Sequence, residues 1–165
     1  IGIDQIGIGG DFAGNRPLIS PTLYRDQIVP EIRRCSKVIH QANLWAINAS
    51  DGDLWSVIDD FLLATEVDGY LEIDMQAGMD LRRLKQAYGN RITLYGNMDC
   101  GNVLSFASAE EIRRQTIACL EAGFGNGGHI FCANIAITAS VPIGNYLAMV
   151  GAYREFFSMP PLHFA

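Results

Sequence analysis

The sequence predicts an α/β protein whose five parallel strands form part of a (β/α)8 barrel. Short apolar runs alternate with amphipathic stretches five times, and polar residues follow each apolar run. Strands that alternate with helices form parallel sheets with right-handed crossovers. This alternation alone also fits a doubly wound sheet. Polar residues at the carboxyl ends of successive strands favour the barrel, because barrels build their sites there.

The predicted strands are short and largely apolar, as expected when helices cover both faces of a parallel sheet. The first run, IGIDQIGIG, has apolar residues in alternation, which is the period of a strand. The five strands are predicted over residues 1–9, 44–48, 69–73, 91–95 and 129–132.

The predicted helices have recognisable ends. Ser20 is a suitable N-cap for the first helix, and Pro30 inside that helix predicts a kink or a break. Ser108 with Glu111 forms a capping box for a helix that Gly123 ends. The other predicted helices cover residues 21–41, 54–65, 79–88 and 142–157.

Composition excludes several classes of protein. The chain is 49% hydrophobic and 18% charged, which is typical of one globular unit. With a net charge of −6 and no basic run longer than two residues, a nucleic-acid interface is not expected. No apolar stretch approaches the roughly 20 residues of a membrane helix. The four cysteines contain no CxxC pair and indicate free thiols, hence a cytoplasmic location.

Short motifs follow one another along nearly the whole chain: DFAG at 11–14, PLISP at 17–21, SDG at 50–52, QAGMD at 76–80, YGNMD at 95–99, GGHIF at 127–131 and NYLAM at 145–149. This ordered series resembles the uroporphyrinogen decarboxylase superfamily. The resemblance implies a partial TIM barrel that holds the last five strands of eight. It also implies that an N-terminal part of the barrel lies outside this chain.

The resemblance implies two chemistries. The decarboxylase branch removes carboxylates from the acetate arms of a tetrapyrrole without a cofactor. The corrinoid methyltransferase branch moves methyl groups with a zinc-bound thiolate. The expected partner is a tetrapyrrole-like small molecule. Because a five-stranded piece would leave two open edges, we also expect self-association or pairing with the N-terminal part of the barrel.

The candidate site residues lie at the strand ends. Asp11 occupies the position where decarboxylases carry a substrate-contacting Ser, so it is the predicted catalytic residue and could accept hydrogen bonds from pyrrole N–H groups. The alternative is a carboxylate that binds its own loop. The predicted substrate-binding residues are Asp51, Asp74, Asn97 and Asn134.

Clustered polar groups at the same end offer further chemistry. Glu72, Asp74, Asn97 and Asp99 could serve in acid–base catalysis or bind Mg²⁺, whereas the alternative is that they cap helices and bind neighbouring loops.

Three positions depart from the family pattern. Ala49 and Asp51 stand where methyltransferases carry the His and Cys of a zinc pair, and Ile135 stands where decarboxylases have a His and methyltransferases their last zinc Cys. Isoleucine neither transfers a proton nor binds a metal, so no metal site is predicted. Cys132 is expected to be a buried small hydrophobe. These departures keep a third hypothesis open, a relative that binds a ligand without turning it over.

Overall fold

A computed structural model describes residues 2–162 and contains one sheet of five parallel strands in the order β1-β2-β3-β4-β5. The strands are β1 (Gln5–Gly9), β2 (Trp45–Ala49), β3 (Gly69–Leu71), β4 (Thr93–Tyr95) and β5 (His129–Ile130). This arrangement confirms the predicted α/β fold and the partial barrel. Most strands are shorter than predicted, and the expected start of the first strand at Ile1 lies outside the described residues.

The sheet is curved, with a concave inner side. The Tyr95 hydroxyl on β4 donates a hydrogen bond of 2.5 Å to Gln5 Oε1 on β1. These strands are three strand spacings apart, about 14 Å along the sheet. Side chains of a flat sheet stand parallel and would not meet over that distance, so the contact requires the strands to curl toward each other.

The helix between β1 and β2 widens in its first half. It consists of α1 (Pro21–Leu23), a π-helical segment (Tyr24–Ile28) and α2 (Val29–Gln41). The Val29 amide donates to the Tyr24 carbonyl, five residues back. Pro30 has no N–H to donate to the carbonyl four residues earlier, and a local π turn accommodates such a defect. The disturbance predicted at Pro30 therefore takes the form of a widened turn.

The remaining helices agree with the predictions to different degrees. The helix α4 (Ala109–Gly123) begins after Ser108, whose hydroxyl accepts from the Glu111 amide, as predicted. The helix α3 (Leu81–Tyr88) begins two residues later than predicted, because Asp80 is its N-cap. The last helix is α5 (Ile143–Phe156), and two more π-helical segments cover Asp60–Ala64 and Cys100–Leu104.

The predicted helix over 54–65 is therefore shorter than expected, and the segment Cys100–Leu104 was not predicted. Within residues 2–162, every helix is too short or too polar to cross a membrane.

The main core lies between the sheet and its covering helices. Tyr70 of β3 packs edge-on against Phe61, with ring centroids 5.0 Å apart, and both side chains are buried. A second cluster joins Met98, Leu104 and Ile112 to Met149 of α5. The core thus fixes the strands from their outer side and leaves the concave side partly open.

Candidate functional site

The loops after β1 and β2 are packed directly on each other. The Asp51 amide donates to Asp11 Oδ1 at 3.4 Å, and the Asp53 amide donates to the Gly14 carbonyl at 2.7 Å. Gly52 has φ +84°, and a Cβ added there would lie 2.7 Å from the backbone of Ala13 and of Gly14. Only glycine suits both this conformation and this close approach. The two strand ends are thereby held together.

Asp74 connects the loop after β3 to the loop after β2. Its carboxylate accepts hydrogen bonds from the amides of Gly52, Gln76 and Ala77 at 3.3, 2.9 and 3.3 Å. Three predicted site residues, Asp11, Asp51 and Asp74, therefore lie at the same end of the curved sheet.

Glu72 belongs to the same group, which we call the carboxylate rim: Asp11, Asp51, Glu72 and Asp74. Burial raises the pKa of Glu72, and the charges of Asp11 and Asp51 add to this. Burial also raises the pKa of Asp51, with further contributions from Asp11 and Asp74. Asp11 is exposed and the other three are half-buried. The rim can accept hydrogen bonds from a ligand and can hold a proton.

Asn97 has a different environment. It is buried, its amide donates to Cys119 Sγ of α4 at 3.2 Å, and the Cys119 thiol lies 3.6 Å from Asn97 Oδ1. The hydrogen bonds of the described residues do not join Asn97 to Asp11, Asp51 or Asp74. Asn97 is therefore hydrogen-bonded to α4 and not to the carboxylates of the first three loops.

Asn134 and Asp99 stabilise the loops after β4 and β5. Asn134 Oδ1 accepts from the Cys100 amide at 2.9 Å. Asp99 accepts from the Asn102 amide at 2.9 Å and from Gln76 Nε2 at 2.6 Å. Asp99 therefore caps the π-helical segment Cys100–Leu104, which is the alternative role considered from the sequence.

The metal hypotheses find no support in this geometry. Within residues 2–162, no group of three or more His, Cys, Asp or Glu side chains is placed to hold a metal ion. Cys132 is half-buried, and burial raises the pKa of its thiol. Ile135 is 36% exposed in the loop after β5.

Tyr70 was not recognised from the sequence. Its side chain is completely buried below the rim, and its hydroxyl has no hydrogen-bond partner among the described residues. Burial raises the pKa of Tyr70, with Asp74 as the largest charge contribution. An apolar strand that contains one Tyr gives no signal for this position, because the direction of the hydroxyl depends on the helices that cover it.

The sequence profile of the family described as Uroporphyrinogen decarboxylase (URO-D) matches residues 8–156. A uroporphyrinogen decarboxylase of Psychromonas ingrahamii is 39% identical over 83 residues, which are 50% of this chain and 22% of that protein. One from Coxiella burnetii is 26% identical over 144 residues, which are 84% of this chain and 38% of that protein.

A solved structure, a methyltransferase from Methanosarcina mazei, superposes with a TM-score of 0.78 at 20% identity. The match covers 94% of this chain and 43% of that protein. The chain thus spans less than half the length of each of these three similar proteins.

Proposed function

Since this chain belongs to the uroporphyrinogen decarboxylase family, we propose that it forms one side of a decarboxylase site for a carboxylated, tetrapyrrole-like substrate. The observation that carries the proposal is the junction of three strand ends, in which Asp51 is bound to Asp11 and Gly52 to Asp74. Barrel enzymes assemble their sites at this end of the strands from several loops at once.

Asp11 is the residue that would contact the substrate. Its carboxylate is exposed, and one of its oxygens accepts a weak hydrogen bond of 3.4 Å from the Asp51 amide. An ionised carboxylate has about four acceptor positions, so Asp11 retains capacity for the N–H groups of pyrrole rings. Asp51 and Asp74 would position Asp11 and shape the wall beside it.

The raised pKa values in the rim suit a proton-transfer step. When a carboxylate leaves as CO₂, its C–C bond breaks, the electron pair stays on the remaining carbon, and that carbon must take up a proton. A carboxyl group with a raised pKa holds a proton at higher pH than an ordinary one and can deliver it. Asp51 and Glu72 meet this condition, and the step consumes no cofactor.

The test is product analysis with uroporphyrinogen as the substrate. The protein is assayed alone and together with the N-terminal half of the Coxiella burnetii relative, and we expect turnover in the combined sample. Asp11→Asn should lower kcat/KM by about 10- to 100-fold, because a hydrogen bond to a charged group contributes about 1.5–3 kcal/mol. Asp26→Asn is the matched control, since Asp26 is an exposed carboxylate on the first helix.

Unchanged substrate in the combined sample would contradict the decarboxylase proposal and favour the non-catalytic hypothesis, which Ile135 motivates. Equal activity of the Asp11→Asn and Asp26→Asn proteins would contradict the role proposed for Asp11.

Methyl transfer is the second candidate, because a methyltransferase shares the fold. The residue types do not favour methyl transfer. Ala49, Asp51 and Ile135 stand where the methyltransferase branch has its zinc ligands, and zinc requires three or four thiolate, imidazole or carboxylate donors. Metal analysis by mass spectrometry separates the two candidates, since stoichiometric zinc would favour methyl transfer.

A further inference from the structure

A cavity of about 400 Å³ lies in the covering layer, between the start of α3 and the middle of α4. Its other walls are the loops after β3 and β4. Both of these strands are paired on both sides, so the cavity does not lie at an edge of the sheet. None of its lining residues belongs to the carboxylate rim. Its volume is within the range of pockets that bind small molecules, about 300–1,000 Å³.

Asn97 supplies an unused hydrogen-bond donor to this cavity. The residue is 6% exposed, and its carbonyl oxygen lies 3.6 Å from the Cys119 thiol. Its side-chain nitrogen Nδ2 donates no hydrogen bond within residues 2–162, although protein atoms do not enclose it completely. A buried amide group without a partner is unfavourable. Nδ2 therefore opens on the cavity that Asn97 lines and can donate to a ligand there.

Gln115 supplies a complementary acceptor. Its Nε2 donates to Glu111 at 2.8 Å, and its carbonyl oxygen accepts no hydrogen bond in the part of the chain that the structure describes. Gln115 precedes Cys119 by four residues on α4, so the two lie on the same side of the helix. Because Cys119 contacts Asn97, the donor and the acceptor are about one helical turn apart, roughly 5 Å.

The surface around these two amides is apolar. Three methionines line the cavity, Met75, Met79 and Met98, and so do Leu81 and Val103. The thioether group of methionine packs favourably against aromatic rings and adapts to their shape. These walls therefore suit a flat ring.

The ionisable groups give no preference for a charged ligand. Asp99 is buried and already accepts three hydrogen bonds, from the Asn102 amide, Asn102 Nδ2 and Gln76 Nε2. Asp80 and Arg82 line the cavity from exposed positions and have opposite charges. An uncharged ligand also avoids the cost of removing an ion from water.

We propose that this cavity binds an uncharged, flat heterocycle that carries both carbonyl and N–H groups on its edge, as uracil and other nucleobase-like rings do. A ring carbonyl would accept from Asn97 Nδ2, and a ring N–H would donate to the Gln115 carbonyl. The methionines would pack against the faces of the ring. The site shares no residue with the carboxylate rim, so it can hold even if the decarboxylase activity is absent.

The test is a titration of the complete chain with uracil, followed by the methyl NMR signals of methionine. We expect saturable binding that shifts the signals of Met75, Met79 and Met98. N,N′-dimethyluracil keeps the ring and both carbonyls but has no N–H group. It should bind about 10-fold more weakly, since the Gln115 carbonyl then stays without a partner.

Two variants locate the ring, each with a matched control. Ala118→Leu fills the cavity from an exposed position on α4 and should weaken uracil binding by about 10-fold or more, because overpacking is unfavourable. Ala87→Leu is its control, since Ala87 is exposed on α3 and does not line the cavity. Gln115→Met removes the acceptor and should weaken binding of uracil but not of N,N′-dimethyluracil. Its control is Gln86→Met, at another exposed position of α3.

Three results would overturn the proposal. The first is the absence of saturable uracil binding at millimolar concentration. The second is equal binding by the Ala118→Leu and Ala87→Leu proteins, both folded by circular dichroism, since the ring would then lie elsewhere. The third is a Gln115→Met protein that binds uracil as well as the Gln86→Met protein does.

Discussion

Replacing Gly52 by alanine should disrupt the junction of the first two strand ends. Two costs add at this position. An L-residue in the left-handed region costs about 1–2 kcal/mol, and Gly52 has φ +84°. The new Cβ would also lie 2.7 Å from backbone atoms of Ala13 and Gly14, which cannot rotate away as a side-chain tip could. Forced overpacking of this kind costs about 1–3 kcal/mol. We therefore expect a loss of about 2–5 kcal/mol.

Gly78 provides a matched control for the conformational part of this cost. Its φ is +88°, and an added Cβ would meet no atom within 4 Å. Gly78→Ala should therefore lose about 1–2 kcal/mol, and the effect of alanine on the unfolded chain is the same in both variants. Gly52→Ala should exceed it by about 1–3 kcal/mol.

Urea denaturation followed by circular dichroism measures the difference between the two variants. A lower midpoint with an unchanged slope indicates lost stability. At this chain length each kcal/mol lowers Tm by about 2–4 °C, which a thermal scan can check. If Gly52→Ala were no less stable than Gly78→Ala, the close packing of the two loops would be refuted.

Two further predictions concern titratable groups. Because the pKa of Asp51 is raised, the folded protein binds the proton of this carboxyl group more tightly than the unfolded chain does. The contribution of Asp51 to stability therefore falls as pH rises from the ordinary carboxyl pKa to the raised one. Asp51→Asn should flatten that fall and change stability at pH 7 by less than about 1 kcal/mol because the group is partly solvated. Denaturation at a series of pH values measures this, and an unaltered pH dependence in Asp51→Asn would contradict it. Burial raises the pKa of the Cys119 thiol to about 12. Iodoacetamide should therefore label the exposed Cys35 and should not label Cys119 until urea unfolds the chain. If mass spectrometry shows that both cysteines are labelled at equal rates, the buried position of Cys119 is contradicted.

Features that depend on nearby residues were predictable from the sequence. The helix α4 has the cap and the end that Ser108 and Gly123 predict, because an N-cap acts over three residues. The Glu111 carboxylate, the second half of the predicted capping box, accepts from Arg114 and Gln115. The π-helical segment Cys100–Leu104 was not predictable, because its residues resemble a loop. Its start depends on a hydrogen bond from the Cys100 amide to Asn134, which is distant in sequence.

The candidate site also contains features that the sequence could predict and features that it could not. Parallel strands bring their carboxyl ends to one edge, so the sequence could predict that Asp11, Asp51 and Asp74 lie together. The directions of individual side chains depend on the covering layer. Asn97 contacts Cys119 of α4, and the strand that precedes it contains no signal for that contact.

The hydrogen bonds that join the first three loops have an evolutionary consequence. Each loop uses an atom of its neighbour: the Asp51 amide needs Asp11, the Gly52 amide needs Asp74, and the Asp53 amide needs the Gly14 carbonyl. An insertion or deletion in one of them would separate these pairs. Among proteins that share this arrangement, the three loops should therefore keep constant lengths together and change together.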